Sequence, residues 1–265
     1  MYSLIQSKRI RGEAGEPLPT VWKALEGTET YFYRGQLVLV AAGPGTGKSG
    51  LVLTEALLSG VTCLYLSADS DAFVQLSRSI AIMSGCTLAE AAQAIREDEL
   101  SQYHGTLVDT PIRFRYDANP DLGTIETAVE AYWELYGEFP QLIVVDNVTN
   151  VRTEGGAEDD DPFSGLEGLM DYLHEMARET EACVVGLHHV LGGYNDAAKP
   201  IPLSGVKGQI TRVPEMVLTL HRVEDSLRVS TVKNRAGRAD PSGNTYAELD
   251  FNGDRMRIAD PPWLA

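Results

Sequence analysis

From Gln36 onward the chain switches between short, almost wholly apolar runs and longer segments whose apolar positions recur at helical spacing. QLVLVAA (36–42), VTCLYLSA (61–68), LIVVD (142–146) and CVVGL (183–187) are near-continuous apolar runs, the pattern of strands buried on both faces of a parallel sheet. IRFRYD (112–117) alternates like a strand with one drier face. Between these runs lie GLVLTEALLSG (50–60), which ends at Gly60, and FVQLSRSIAIM (73–83), both read as helices. Residues 84–110 read as short helices, of which TLAEAAQAIRED (87–98) is the clearest. In TIETAVEAYWELYGE (124–138), Ile125, Ala128, Val129, Tyr132 and Leu135 fall on one helical face. LEGLMDYLHEMA (166–177) does the same with Leu166, Leu169, Met170, Leu173, Met176 and Ala177.

Three further strands, EMVLTLHR (215–222), LRVSTVKN (227–234) and TYAELDF (245–251), follow with no helix between them. Strands alternating with helices build right-handed βαβ units, so the expected fold is α/β. Its central sheet is mostly parallel and flanked by helices, with C-terminal antiparallel strands extending one edge. Residues 1–30 are mixed and polar, with Pro17 and Pro19, and read as an N-terminal arm; residues 31–260 read as one domain.

Composition narrows the picture. Apolar residues at 43% and charged residues at 23% are ordinary for a globular protein. A net charge of −16 argues against a protein that coats nucleic acid, since such affinity comes mostly from neutralised phosphates. It leaves room for a grip through a few local basic residues. Cys63, Cys86 and Cys183 fit no zinc spacing and read as reduced thiols of a cytoplasmic protein. No apolar run reaches the roughly 20 residues of a membrane helix, and MYSLIQSKRIRGEAGE has no secretory h-region.

The strongest chemical signal is AGPGTGKS (42–49), set between a strand and a helix. Glycines there let successive backbone N–H groups turn inward around phosphate oxygens, helped by the positive end of the following helix. Gly43, Pro44, Gly45, Thr46, Gly47, Lys48, Ser49 and Gly50 are therefore read as a P-loop for ATP. Lys48 reaches the β- and γ-phosphates and the Ser49 hydroxyl binds Mg²⁺. Asp146 ends an apolar strand, where a second carboxylate for the Mg²⁺ shell belongs.

Asp69, at the end of the second strand, is placed to orient or deprotonate the attacking water. The plainer alternative is an N-cap for the next helix, a role open to Asp69, Ser70 and Asp71 alike, with Asp71 the competitor as base. His188 and His189 follow the fourth buried strand, and His189 is the candidate sensor of the γ-phosphate. Neither histidine has a third ligand at zinc spacing.

Together with the P-loop and LIVVD, the segments SGVKGQITRVPEMVLTLHR (204–222) and VKNRAGRADPSG (232–243) resemble the ATPase domain of DnaB-type replicative helicases, within the RecA-like P-loop superfamily. The resemblance covers residues 17–258. In that family a Lys-x-Arg-x-Gly stretch lends a lysine and an arginine finger to the neighbouring subunit's ATP. The matching residues here are Lys233, Arg235 and Gly237. The family also places an acidic residue, usually Glu, at Asp69 and a Gln near His189. Its N-terminal primase-binding domain is expected to be absent.

Residues 190–209 resemble the family's pore loop, and Lys199 and Lys207 are the candidate contacts to single-stranded DNA. A solvated flexible loop is the competing reading. The resemblance implies an Mg²⁺-dependent ATPase working as a homo-oligomer, most simply a hexamer, that moves single-stranded DNA through its centre. A recombination-mediator or regulatory ATPase without unwinding is the alternative. A nuclease using a metal site in the acidic run 158–161 is a third.

Overall fold

The computed structural model describes residues 2–152 and 165–264. Nine strands occupy the apolar or alternating runs: β1 (Leu37–Ala41), β2 (Cys63–Ser67), β3 (Ile112–Tyr116), β4 (Leu142–Asp146), β5 (Cys183–His188), β6 (Met216–Val223), β7 (Ser226–Asn234), β8 (Ala247–Asn252) and β9 (Arg257–Ala259). The helices are α1 (Leu4–Ile10), α2 (Lys23–Gly27), α3 (Lys48–Leu58), α4 (Ala72–Ser84), α5 (Leu88–Arg96), α6 (His104–Asp109), α7 (Leu122–Tyr136) and α8 (Leu166–Thr180). All nine strands form one sheet in the order β3-β2-β4-β5-β1-β6-β7-β8-β9. β3 through β6 in that order are parallel, and β7, β8 and β9 add antiparallel ladders.

Strand side chains alternate between two cores. Val38 and Val40 of β1, Tyr65 of β2 and Val144 of β4 face α3. Leu37 and Leu39, Leu64 and Leu66, and Ile143 and Val145 face α7 and α8. The central strands are buried at every position, which is why they carry no polar face in the sequence. On α7 the expected apolar face is buried at Ile125, Val129 and Tyr132, whereas Leu135 is 75% exposed at the helix end.

The stretch expected to be an arm departs most from the sequence pattern. Leu18, Trp22, Ala24 and Leu25 are buried in the α3-side core, and Leu18 N–H donates to Phe32 O at 2.7 Å. Only the part before residue 17 keeps an arm's exposure, α1 having no buried residue. α2 has no side-chain cap of its own. Asp260 supplies it from the far end of the chain, its carboxylate accepting from Lys23 N at 2.8 Å and Ala24 N at 2.9 Å.

Trp22 Nε1 donates to Ile258 O at 3.0 Å, so one side chain ties the N-terminal segment to the last strand. Trp22→Ala removes that volume and orphans a buried carbonyl. The expected cost is roughly 3–5 kcal/mol, read as an earlier urea midpoint with the slope unchanged. A loss below about 1 kcal/mol, the size of an ordinary surface change, would mean that residues 17–30 do not belong to the cooperative core.

Candidate active site

Parallel pairing brings the C-terminal ends of β1, β2, β4 and β5 to one edge, where Ser67 pairs with Asp146 and Ala41 with His188. Ligand crevices of open α/β sheets lie at this edge. The P-loop leaves β1 there and turns into α3. Gly45 (φ 69°) and Gly47 (φ 122°) sit in backbone regions that side chains rarely adopt. An added Cβ at Gly43 would lie 2.3 Å from Asn195 O, so residues 190–209 are packed directly on the P-loop.

A cavity of about 430 Å³ opens over this edge, lined by Lys48, Ser49, Asp69, Arg78, Asp146 and His189 among others. That volume suits a nucleotide-sized ligand. Lys48 is 8% exposed and donates to Ala42 O and Gly43 O, both at 3.1 Å. Burial lowers its pKa, while Asp146 and Asp69 pull the other way. Asp146 accepts from Tyr65 Oη at 2.8 Å. Burial raises its pKa, opposed by hydrogen bonds from the Tyr65 and Ser49 hydroxyls.

A serine hydroxyl against a carboxylate is a hard-oxygen pair suited to Mg²⁺, which keeps few protein ligands and takes the rest from phosphates and water. Among the described residues no group of three or more His, Cys, Asp or Glu forms a closed metal cage. The acidic run 158–161 lies outside the described residues.

Asp69 and Asp71 occupy different places. Asp71 caps α4, accepting from Val74 N at 2.9 Å, whereas Asp69 lines the cavity. The main chain at Asp69 is fixed, because Ala68 N and Asp69 N both donate to Asp146 O, at 2.6 and 3.1 Å. The two histidines also divide. His189 Nε2 accepts from Asn147 Nδ2 at 2.7 Å, next to Asp146. Burial lowers its pKa, which keeps the ring neutral and Nε2 free to accept. His188 is fully buried and donates from Nε2 to Lys207 O at 2.8 Å.

Residues 190–209 are not a free solvated loop. Leu191 N donates to Gly205 O, Lys207 N to His189 O, Thr219 Oγ1 to Ile201 O and Arg222 N to Ala197 O. Ala197, Ile201 and Val206 are buried. The segment is a strap clamped to the sheet, because its apolar residues fill the core beside β5 and β6. Lys199 is exposed on it, 5.2 Å above the Tyr194 ring, and Lys207 is half-buried at its return.

Lys233 and Arg235 lie elsewhere. β7 runs antiparallel to β6, and Met216 pairs both with Asn234 and with Val38 near the start of β1. The two cations therefore sit at the opposite end of the sheet from the P-loop, at least roughly 10 Å away at ~3.3 Å per strand residue. Lys233 donates to Thr211 O at 2.7 Å and Arg212 O at 2.8 Å. Burial and Arg235 push its pKa down to about 8.

Several cavity residues carry no signal in the sequence. Arg78, two turns into α4, points into the cavity and donates to Ser70 Oγ at 3.2 Å. Phe251 stands beside Gly47, with Arg222 stacked on its ring at 4.9 Å. A lone arginine on a helix and an aromatic in a strand look like any others of their kind. Only the sheet topology brings them to the P-loop.

Comparison with known proteins agrees with this architecture. A family model described as "AAA domain" matches residues 11–191. The Gene 65 protein of Mycobacterium phage L5 is 62% identical over 98% of this chain and 99% of its own length. That of Mycobacterium phage D29 is 63% identical over 84% of this chain and 99% of its own. Among solved structures, one described as an isolated ATPase domain superposes with a TM-score of 0.80 at 17% identity, covering 97% of this chain and 96% of that one. A DnaB-like replicative helicase superposes with a TM-score of 0.79 at 16% identity; this chain spans 65% of its length. The fold is thus the one used by DnaB-type helicase ATPase domains, and by its sequence the chain belongs to the AAA domain family, with the phage Gene 65 proteins as its relatives.

Proposed function

We propose that this ATP-hydrolysing AAA-domain protein is the motor subunit of a cytoplasmic ring, most simply a hexamer, that moves along single-stranded DNA. One observation supports this above the rest. The cavity holding Lys48, Ser49, Asp69 and Asp146 is joined through Asn147–His189 and His188–Lys207 to a strap that carries the exposed Lys199. A site that senses phosphate and a surface that can hold phosphate thus share one short chain of contacts.

The chemistry follows from the side chains. Lys48 and the P-loop amides hold the triphosphate, with the base lying toward Phe251 and Arg222. Ser49 and Asp146 hold Mg²⁺, which neutralises charge on the β- and γ-phosphates when bound. Asp69, aimed into the cavity while Asp71 is spent as a cap, orients the attacking water. Arg78 offers positive charge from the same subunit. Lys233 and Arg235 are too far from their own P-loop to act there and serve the site of the next copy. The DnaB-like fold, shared with a protein described by its interactions with primase, fits the same reading.

If the strap is the grip, Lys199→Ala with Lys207→Ala weakens binding to any single strand alike. It also lowers the log–log salt slope by roughly 0.7 per lost phosphate contact. Basal ATPase persists. Binding titrations at several salt concentrations check this, and unchanged affinity moves the grip off the strap. DNA-stimulated ATPase with opening of a forked duplex separates a motor from a regulatory ATPase that only switches.

A further inference from the structure

Glu215, the residue just before β6, collects contacts from four parts of the fold. Its Oε2 accepts from Leu37 N, the first residue of β1, at 3.0 Å. Its Oε1 pairs with His174 Nε2 of α8 at 2.8 Å and lies 3.7 Å from Arg235 Nη1. Its main chain joins in as well: Glu215 N donates to Leu37 O at 3.0 Å, and Arg235 N donates to Glu215 O at 2.9 Å. The carboxylate is only 14% exposed, whereas the Arg235 side chain is 52% exposed.

A carboxylate that dry is held still by its donors, because leaving any oxygen unpaired is costly. An arginine half in water is otherwise free to sample many rotamers. We propose that Glu215 is the positioning residue for Arg235, holding it at main chain and side chain so that its free donors point out toward the neighbouring copy. The inference rests on the reading of Arg235 as a finger given in trans.

Arg235 Nη2 donates to Arg212 O at 2.9 Å, the same carbonyl that Lys233 uses, so one of five guanidinium N–H groups is committed there. Residues 211–212 follow the strap directly in sequence. The finger pair is thereby fixed between a rigid point, Glu215, and a segment continuous with the strap.

Glu215→Gln tests the idea. The amide keeps an oxygen for Leu37 N–H and removes the charge that faces Arg235. Rings form as before and KM for ATP stays within about twofold, since ground-state binding is untouched. The kcat falls about 10- to 100-fold, as expected when a reacting group is misplaced by an ångström. Glu215→Asp, which restores the charge, recovers part of that loss and carries the same tests if the glutamine variant fails to assemble.

Mixing separates a role in trans from a structural role. Glu215→Gln subunits regain ATPase with Lys48→Ala subunits, which bring intact fingers, and gain nothing with Arg235→Ala subunits. An unchanged kcat overturns the proposal. So does failure to regain activity with Lys48→Ala in mixed rings where the Arg235→Ala and Lys48→Ala pair does recover, since Glu215 would then act inside its own subunit. If that control pair itself shows no recovery, the trans reading fails first and takes this inference with it.

Discussion

Lys48→Ala is expected to lower ATP turnover by at least on the order of 10²–10³-fold, the loss that follows when a preorganised charge at a developing anion is removed. The fold should survive. Lys48 donates only to the carbonyls of Ala42 and Gly43 at its own loop, and no core contact depends on its ammonium. The electrostatics predict more than survival. Burial lowers the pKa of Lys48, so the folded chain disfavours the charged form relative to the unfolded one. For a lysine shifted in this direction, the penalty is absent above the unfolded pKa and complete below the folded pKa. At neutral pH the side chain is charged, and removing it relieves that penalty. A melting temperature equal to or above the parent's, together with lost turnover, is the expected pair of results. Turnover at the parent rate in a folded variant would place hydrolysis outside this cavity.

Much of this arrangement is legible in the sequence, and the parts that are not share a cause. β1, β2, β4 and β5 are buried on both faces, so they appear as unbroken apolar runs that need no context to recognise. The P-loop is local too, with its consecutive residues set between a strand and a helix. What the sequence conceals is built from distant pairs. α2 looks like part of a polar arm because its cap, Asp260, stands 236 to 237 positions away. Tyr65 reads as one more core aromatic until β2–β4 pairing sets its hydroxyl on Asp146.

Asp69 and Asp71 are indistinguishable by residue type, and only the α4 cap separates them. The strap misleads for the opposite reason. Its glycines and prolines read as solvated loop, yet Ala197, Ile201 and Val206 fill core space and His188 clamps the return from beneath. Strand-end polarity alone ranks neither histidine ring above the other. Burial gives His188 the structural contact and leaves His189 at the cavity.

Arg235→Ala should bind ATP nearly as the parent does and hydrolyse it about 10³–10⁵-fold more slowly, the range for an arginine finger. The geometry behind this is the antiparallel run of β7. It carries the chain away from the P-loop end of the sheet, so Arg235 comes to rest beside Glu215 and Arg212 at the start of β1. No side-chain rotation spans the length of the sheet, and a role for Arg235 in its own site is ruled out on distance alone. A head-to-tail ring solves the problem, since each interface then joins one copy's P-loop end to the next copy's β7 end. Lys48→Ala and Arg235→Ala subunits are each inactive alone, yet mixing them creates interfaces with an intact P-loop on one side and an intact finger on the other. In a random equal mixture roughly one interface in four has both, so partial recovery of ATPase is the expected outcome. Activity in the Arg235→Ala protein alone, or in a dilute monomer of the parent, would show that hydrolysis needs no neighbour. Absence of recovery in rings proven to be mixed would remove the finger from Arg235.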